Sequence, residues 1–302
     1  MTEEETRRLL KDAYRIDFPD NLFQFWDFTK SFGEVKPLDT FTESMGFSLD
    51  GPFKFLAGNP EPVNGWYLDA RYYDDPPEFI TVFSGDTDGH HWGYWFDDPD
   101  NSPIYSIADY YSKDAYEITE NGKTLFEAFR LHLERCYGST LENIETDPDA
   151  EEYQDEYQAD LEVYTLIRTR LMQFSTTERL EISSEYVERY AEDKGQRAIA
   201  AETLESMGIV VPDHLYRPLS VDGGKLREIA VNNCDLSVIL AEAYKALEEG
   251  FPGSALELGR NLWIGNPTQK QEAYRLLEKA YTALSRPTLA HFLVKIIPTR
   301  LK

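Results

Sequence analysis

The run Tyr72-Tyr73-Asp74-Asp75-Pro76-Pro77-Glu78-Phe79-Ile80-Thr81-Val82-Phe83, continued by Gly85-Asp86 and by Gly93-Tyr94-Trp95-Phe96-Asp97-Asp98-Pro99, reads as two strands and their turns. Ile80 to Phe83 is β-branched and aromatic, the composition of a half-buried pleated strand. Just before it, Trp66, Leu68, Ala70 and Tyr72 alternate with mostly polar neighbours, which is the period of another strand. Pro76-Pro77 and Asp98-Pro99 punctuate these runs. The aromatics have a plain reading as the hydrophobic core of an antiparallel sheet. Core packing does not demand the ordered set of acidic, proline and glycine residues around them.

Working outward, 302 residues with 41% hydrophobic and 14% aromatic content are enough for about two domains with sizeable cores. Thirty basic against fifty-five acidic residues leave a formal net charge of −25. Such a balance repels phosphate backbones, so direct nucleic-acid binding is not expected and a partner surface is expected to be basic. The two cysteines, Cys136 and Cys234, have no metal-ligand spacing, which fits a reducing, intracellular compartment without disulfide stapling. The start Met1-Thr2-Glu3-Glu4-Glu5-Thr6-Arg7-Arg8 lacks the apolar core of a signal peptide, and no long apolar run follows, so a soluble chain off the membrane is expected.

Thr2 with Glu5 has capping-box spacing and opens a first helix, and Pro19 marks the first turn of a second, rich in Phe23, Trp26 and Phe28. After Gly122, the set Leu125, Phe126, Phe129 and Leu133 steps at helical intervals. The fold class expected is α+β, with an N-terminal α+β domain over 1–140 and a mainly helical domain over 161–302. Between them, 141–160 is read as an exposed acidic connection, because Glu142 to Glu162 holds ten acidic residues, no Lys or Arg, and Pro148. Downstream, Pro267 and Pro287 begin the last two helices.

Familiar chemistries find little support. His90 and His91 are adjacent and point to opposite faces of a strand, so they do not share a metal, and none is expected elsewhere. No nucleophile-elbow, Walker or dinucleotide glycine pattern is present, and Gly223-Gly224 is read as a turn. His132 lies beside the apolar stripe of its helix and is read as a packed residue. No stand-alone enzyme is expected.

Two segments resist a stability account. Asp213-His214-Leu215-Tyr216-Arg217-Pro218 follows Gly208-Ile209-Val210-Val211-Pro212, so two prolines frame a non-helical stretch carrying Tyr and Arg, the types enriched at interface hot spots. A surface loop with a tucked Tyr is the plainer reading. Glu248-Glu249-Gly250 ends a helix starting near Asp235, with Gly250 as its stop, so two carboxylates occupy a last turn that favours cations. A surface pair between Lys245 and Glu249 is the plainer reading here.

In combination these segments resemble the histone PARylation factor family. Its members carry DPPEF, a GD pair and a GY-x-x-D-x-P turn in this order, then G-x-V-V-P before a Tyr-Arg pair, an acidic pair, and a G-x-G-LELG helix, which Gly253-Ser254-Ala255-Leu256-Glu257-Leu258-Gly259 resembles here. Ala280-Tyr281 and Leu284-Ser285-Arg286 extend the match, which covers most of residues 18 to 290. The resemblance implies an accessory factor that docks on the catalytic domain of a poly(ADP-ribose) polymerase and completes a joint active site for serine ADP-ribosylation. It implies Glu249 as catalytic base, Glu248 as its acidic neighbour, and Tyr216, Arg217 and Asp213 as docking residues. NAD would be bound by the partner and no cofactor by this chain, which would be a monomer when free, with acceptor proteins as further partners.

The sequence departs from the animal members in a shorter span between Arg217 and Glu249, a weak match over 175–205 and the absence of a lysine-rich N-terminal arm. The compact start points to a bacterial relative and hence the cytoplasm, with the nucleus the expectation for a eukaryotic source. The other function class is a binding module without chemistry. The N-terminal half is similar to small bacterial SUKH immunity domains in Phe18-Pro19 and the Gly-Asp turn, and its acidity suits capping a basic toxin or enzyme.

Overall fold

Five strands lie in space in the order they have in the chain: β1 (Phe47–Leu49), β2 (Phe79–Gly85), β3 (His90–Trp95), β4 (Ser106–Tyr111) and β5 (Ile118–Gly122), each antiparallel to its neighbour. The computed structural model describes residues 2–33, 36–72, 74–85, 88–113, 118–146, 152–174, 197–221, 228, 235–265 and 267–300. Tyr73, Asp86, Pro148, Gly223-Gly224 and Cys234 lie outside the described residues.

The sheet is covered on both faces. One face presents Ile80, Val82, Trp92, Tyr94 and Ile107 to the main core, and the other presents Phe79, Trp95, Ala108 and Tyr110 to Met207. That is why β3 is buried along its whole length rather than at alternate residues. Against the first face pack α2 (Asp20–Lys30) and α6 (Leu125–Thr146), while α1 (Glu3–Tyr14) adds Leu10 and Tyr14 to the same core. Thr2 caps α1 by accepting from the Glu5 N–H at 3.2 Å, and Pro19 stands at the N-cap of α2. Phe25 is the hub, with Phe83, Phe126 and Phe129 at centroid distances of 5.3, 5.3 and 5.2 Å, mostly edge-to-face. The remaining short helices of this half are α3 (Thr42–Met45), α4 (Pro52–Leu56) and α5 (Trp66–Asp69).

The last of these corrects the strand expected over 66–72. Gly65, at φ 81°, starts a helical turn instead, and Trp66 and Tyr67 are both buried although they are consecutive. A strand would send them to opposite faces. Here Trp66 packs edge-on against Phe55 at 5.3 Å, and Tyr67 stacks on Phe292 at 3.7 Å. The acidic run contributes helix at both of its described ends, and residues 147–151 lie outside the described residues. Its described residues are mostly exposed, α6 runs on to Thr146, and α7 (Gln154–Phe174) starts inside it and packs back on α6. Arg168 closes this hairpin with a fork on Glu134, at 3.0 and 2.7 Å.

The helical half continues with α8 (Ser237–Glu248), α9 (Pro252–Gly265), α10 (Lys270–Ala283) and α11 (Pro287–Arg300). Pro267 opens a 3-10 turn that leads into α10, and Pro287 opens α11. Helix α9 is buried at every position, although it carries Ser254, Glu257, Arg260 and Asn261. Each of these must find a partner inside the protein. Arg260 lies between Glu78, at 3.0 Å, and Glu205, with its guanidinium carbon 4.5 Å from the Trp95 ring centroid. Tyr281 donates to Glu78 at 2.7 Å.

These contacts give the opening motif its physical reason. Asp74 pairs with Lys270 while its carbonyl accepts from Trp263 at 3.1 Å, and Glu78 takes Arg260 and Tyr281. Asp75 is held by His91 at 2.9 Å, and Arg71 donates to the carbonyls of Asp75, Pro76 and Phe79. Burial pushes the Asp75 carboxyl up, but the His91 and Arg71 charges outweigh it and hold it below the ordinary value. Asp97 accepts both arms of Arg197 at 2.7 Å, and Asp100 accepts from the Thr288 N–H and hydroxyl at 2.9 and 2.6 Å. The acidic and proline-bounded turns of the sheet are thus fastened to the helical half. His90 and His91 diverge as expected, toward Asp109 at 2.7 Å and Asp75 respectively.

Candidate functional site

The site is built where the end of α8, the start of α9 and the segment 211–217 meet. Helix α8 stops at Gly250, whose φ of 90° only glycine adopts without strain. The Gly250 N–H bonds Leu247 O at 3.1 Å and the Phe251 N–H bonds Ala246 O at 2.9 Å, the paired closure of a Schellman motif. Glu248 is therefore the last helical residue and Glu249 the C-cap, one residue before the glycine read as the cap. Because the chain turns outward there, both side chains are exposed.

Segment 211–217 lies across the first turns of α9. A Cβ on Gly253 would stand 2.9 Å from Val211 Cγ2, 3.0 Å from Leu215 O and 3.1 Å from Tyr216 Cβ, so glycine admits the segment. Ser254 Oγ donates to Arg217 O at 2.5 Å and accepts from Arg217 N–H at 3.4 Å. Asp213–Leu215 form one 3-10 turn after Pro212, closed by the Tyr216 N–H on Asp213 O at 3.2 Å.

The side chains then separate into two layers. Tyr216 points inward, its hydroxyl donating to Glu257 Oε2 at 3.1 Å. Arg217 points along the rim, where its Nη1 donates to Glu249 Oε2 at 2.5 Å and its guanidinium lies 4.8 Å from the Phe251 ring centroid. Lys245 Nζ is 3.9 Å from the other Glu249 oxygen. The side chains of Arg217 and Glu249 are 39% and 42% exposed, so the pair is accessible. Five residues were expected at a site. Of these, Arg217 and Glu249 are in contact, Tyr216 is turned away from them, and the Asp213 and Glu248 side chains form no ion pair or hydrogen bond among the described residues.

Charge follows this geometry. The Arg217 hydrogen bond holds the Glu249 carboxyl below its ordinary value, and the Arg217 and Lys245 charges act in the same direction against a smaller desolvation. Burial pushes the Glu257 carboxyl up to about 7, opposed by the Tyr216 hydrogen bond, and burial raises the Tyr216 hydroxyl as well. Glu257 was not singled out from the sequence. Its signal was a lone carboxylate in an otherwise apolar helical run, one turn after a Gly-Ser pair.

The raised Glu257 carboxyl has a consequence for stability. Its folded value near 7 exceeds the ordinary 4.5, so between these pH values the folded chain keeps a proton that the unfolded chain has lost. The contribution is complete below the lower value and disappears as pH rises through the upper one. Glu257→Gln removes this titration. Relative to the parent, its unfolding free energy in urea should therefore improve by about 2.5 kcal/mol between pH 5 and pH 8. A difference that stays constant with pH would contradict the burial of this carboxyl.

Residues 5–300 match the family model described as Histone PARylation factor 1. Histone PARylation factor 1 of Mus musculus is 26% identical over 321 aligned residues, spanning 98% of this chain and 87% of that protein. The Bos taurus protein of the same name is 26% identical, spanning 96% and 85%. The Danio rerio protein is 37% identical over 134 residues, a stretch that is 43% of this chain and 38% of that protein. The chain belongs to the histone PARylation factor family. These relatives are vertebrate proteins and lend no support to the bacterial source expected from the compact start. No helix among the described residues is long and apolar enough to cross a membrane.

Proposed function

We propose that the chain is an accessory factor for a poly(ADP-ribose) polymerase-type ADP-ribosyltransferase, contributing Glu249 as general base to a joint active site for serine modification. The relatives are named for PARylation of histones, which makes such a polymerase the partner and histones the first acceptors to try. A serine hydroxyl is a weak nucleophile at neutral pH. Its attack on the anomeric carbon of the ADP-ribose unit, with nicotinamide leaving from NAD, requires a group within hydrogen-bond reach to take the hydroxyl proton. An exposed carboxylate at a helix end, free to approach a second protein, is suited to that task. NAD belongs to the partner in this reading.

The observation that carries the proposal is the contact between Arg217 and Glu249. Arg217 and Glu249 share one accessible rim although they are 32 residues apart, which supports reading them as docking and catalytic partners in one site. While the chain is free, Arg217 balances Glu249 and lowers its basicity. When Arg217 engages the partner, the carboxylate is released as a stronger base at the site where it is needed. Glu248 extends the negative edge toward the acceptor, and Asp213 stands at the outer end of the docking segment.

Docking is tested directly. Arg217→Ala should cost on the order of 2 kcal/mol of affinity for the polymerase catalytic domain, read by calorimetry, with the melting temperature unchanged. Equal affinities for parent and variant would return Tyr216 and Arg217 to an ordinary surface loop.

A further inference from the structure

The geometry points to Glu257, with Gly253 and Ser254, as a built seat that sets the docking segment in its binding conformation before a partner arrives, Glu257 being the residue that positions Tyr216. This rests on the docking role proposed above for Tyr216 and Arg217.

Three observations on α9 carry the inference. Gly253, Ser254 and Glu257 stand at i, i+1 and i+4, on one side of the helix. Each engages the same short segment: Gly253 by close approach to Val211, Leu215 and Tyr216, Ser254 by two hydrogen bonds to the Arg217 backbone, and Glu257 by the Tyr216 hydroxyl. The other two polar side chains of the helix do different work, Arg260 joining α9 to the sheet and Asn261 accepting from the Leu204 N–H at 2.8 Å.

Glu257 is also an expensive residue to bury. It is 5% exposed, and among the described residues no cation faces it and Tyr216 supplies the hydrogen bond its side chain makes. A leucine or methionine would fill the same space without the desolvation penalty. The carboxylate thus does one thing that an apolar side chain cannot. It accepts the single proton of the Tyr216 hydroxyl and fixes the ring's direction. Pro212 and Pro218 restrict the backbone on either side. A segment ordered in advance loses less conformational freedom on binding, and its affinity rises accordingly.

The test uses the full chain in four forms: parent, Glu257→Leu, Glu257→Gln and Tyr216→Phe. Hydrogen exchange over residues 211–217 is measured without a partner, and affinity is measured for a poly(ADP-ribose) polymerase catalytic domain. Glu257→Leu and Tyr216→Phe should each speed exchange of this segment and weaken binding by roughly tenfold, the scale of losing a buried hydrogen bond. Glu257→Gln keeps an acceptor and should recover most of both. Combining Leu with Phe should weaken binding no further than either alone, because both remove one interaction. Unchanged exchange in both the Leu and Phe variants overturns the seat, whatever the affinities. Faster exchange with unchanged affinity, while Tyr216→Ala still weakens binding, overturns the positioning role and leaves the docking reading intact. If the parent does not bind the polymerase domain, the docking reading falls and the positioning role with it.

Discussion

Glu249→Gln is expected to bind the polymerase domain as tightly as the parent and to lower serine ADP-ribosylation by roughly 100-fold or more, the scale of losing a general base. The variant keeps the length and shape of the side chain and an oxygen that can still accept from Arg217, but it cannot take a proton. The fold gives no reason for the variant to be weaker. Glu249 is the C-cap of α8, exposed, at a helix end whose dipole disfavours a negative charge. Its melting temperature should therefore not fall. Reconstituted polymerase, NAD and a serine peptide provide the assay. A Gln variant with full activity and unchanged binding would remove the shared active site and leave a binding module without chemistry.

The second large effect is on stability. Arg260→Met should cost about 3–5 kcal/mol of unfolding free energy, the usual result of stripping the partner from buried charges. Glu78 and Glu205 are 1% and 0% exposed, and Arg260 is the cation between them. Methionine matches the aliphatic part of arginine, so the loss reports the abandoned carboxylates rather than a large cavity. Adding Glu205→Gln to Arg260→Met should restore part of the loss, since one of the two stranded charges is then gone. Urea denaturation measures both. A loss below about 1 kcal/mol would mean that these carboxylates are hydrated in solution, against the burial described.

Local features of the fold were legible in the residues. Ile80 to Phe83 announced β2 through its branched and aromatic composition, Thr2 announced the start of α1, and Gly250 announced the end of α8. Each works through neighbours a few positions away, which periodicity and capping rules can read. Residues 66–72 misled because alternation of polar and apolar residues ignores that Trp66 and Tyr67 are both needed inside, one against Phe55 and one against Phe292. The latter partner lies far along the chain. The acidic run was read from its charge, which does predict exposure but says little about whether exposed residues are helical.

The site was legible in part for the same reason. That two carboxylates end α8 could be seen in Glu248-Glu249-Gly250. That Arg217 reaches one of them could not, because the pairing depends on how segment 211–217 lies across α9. The acidic residues between Asp74 and Asp100 offer the opposite lesson. They stood out as more than core packing requires, and the structure uses them as anchor points for Lys270, Arg260, Arg197 and Thr288.

The rim pair of Arg217 and Glu249 differs from those anchors in its surroundings. Both side chains remain about two-fifths in water, where ion pairs are weak and salt weakens them further. A competing carboxylate or a backbone carbonyl on another protein can therefore take the guanidinium at little cost, and the original contact re-forms when that protein leaves. The weakness of the pair makes it reversible, so one molecule can serve many successive encounters without being remodelled by any of them.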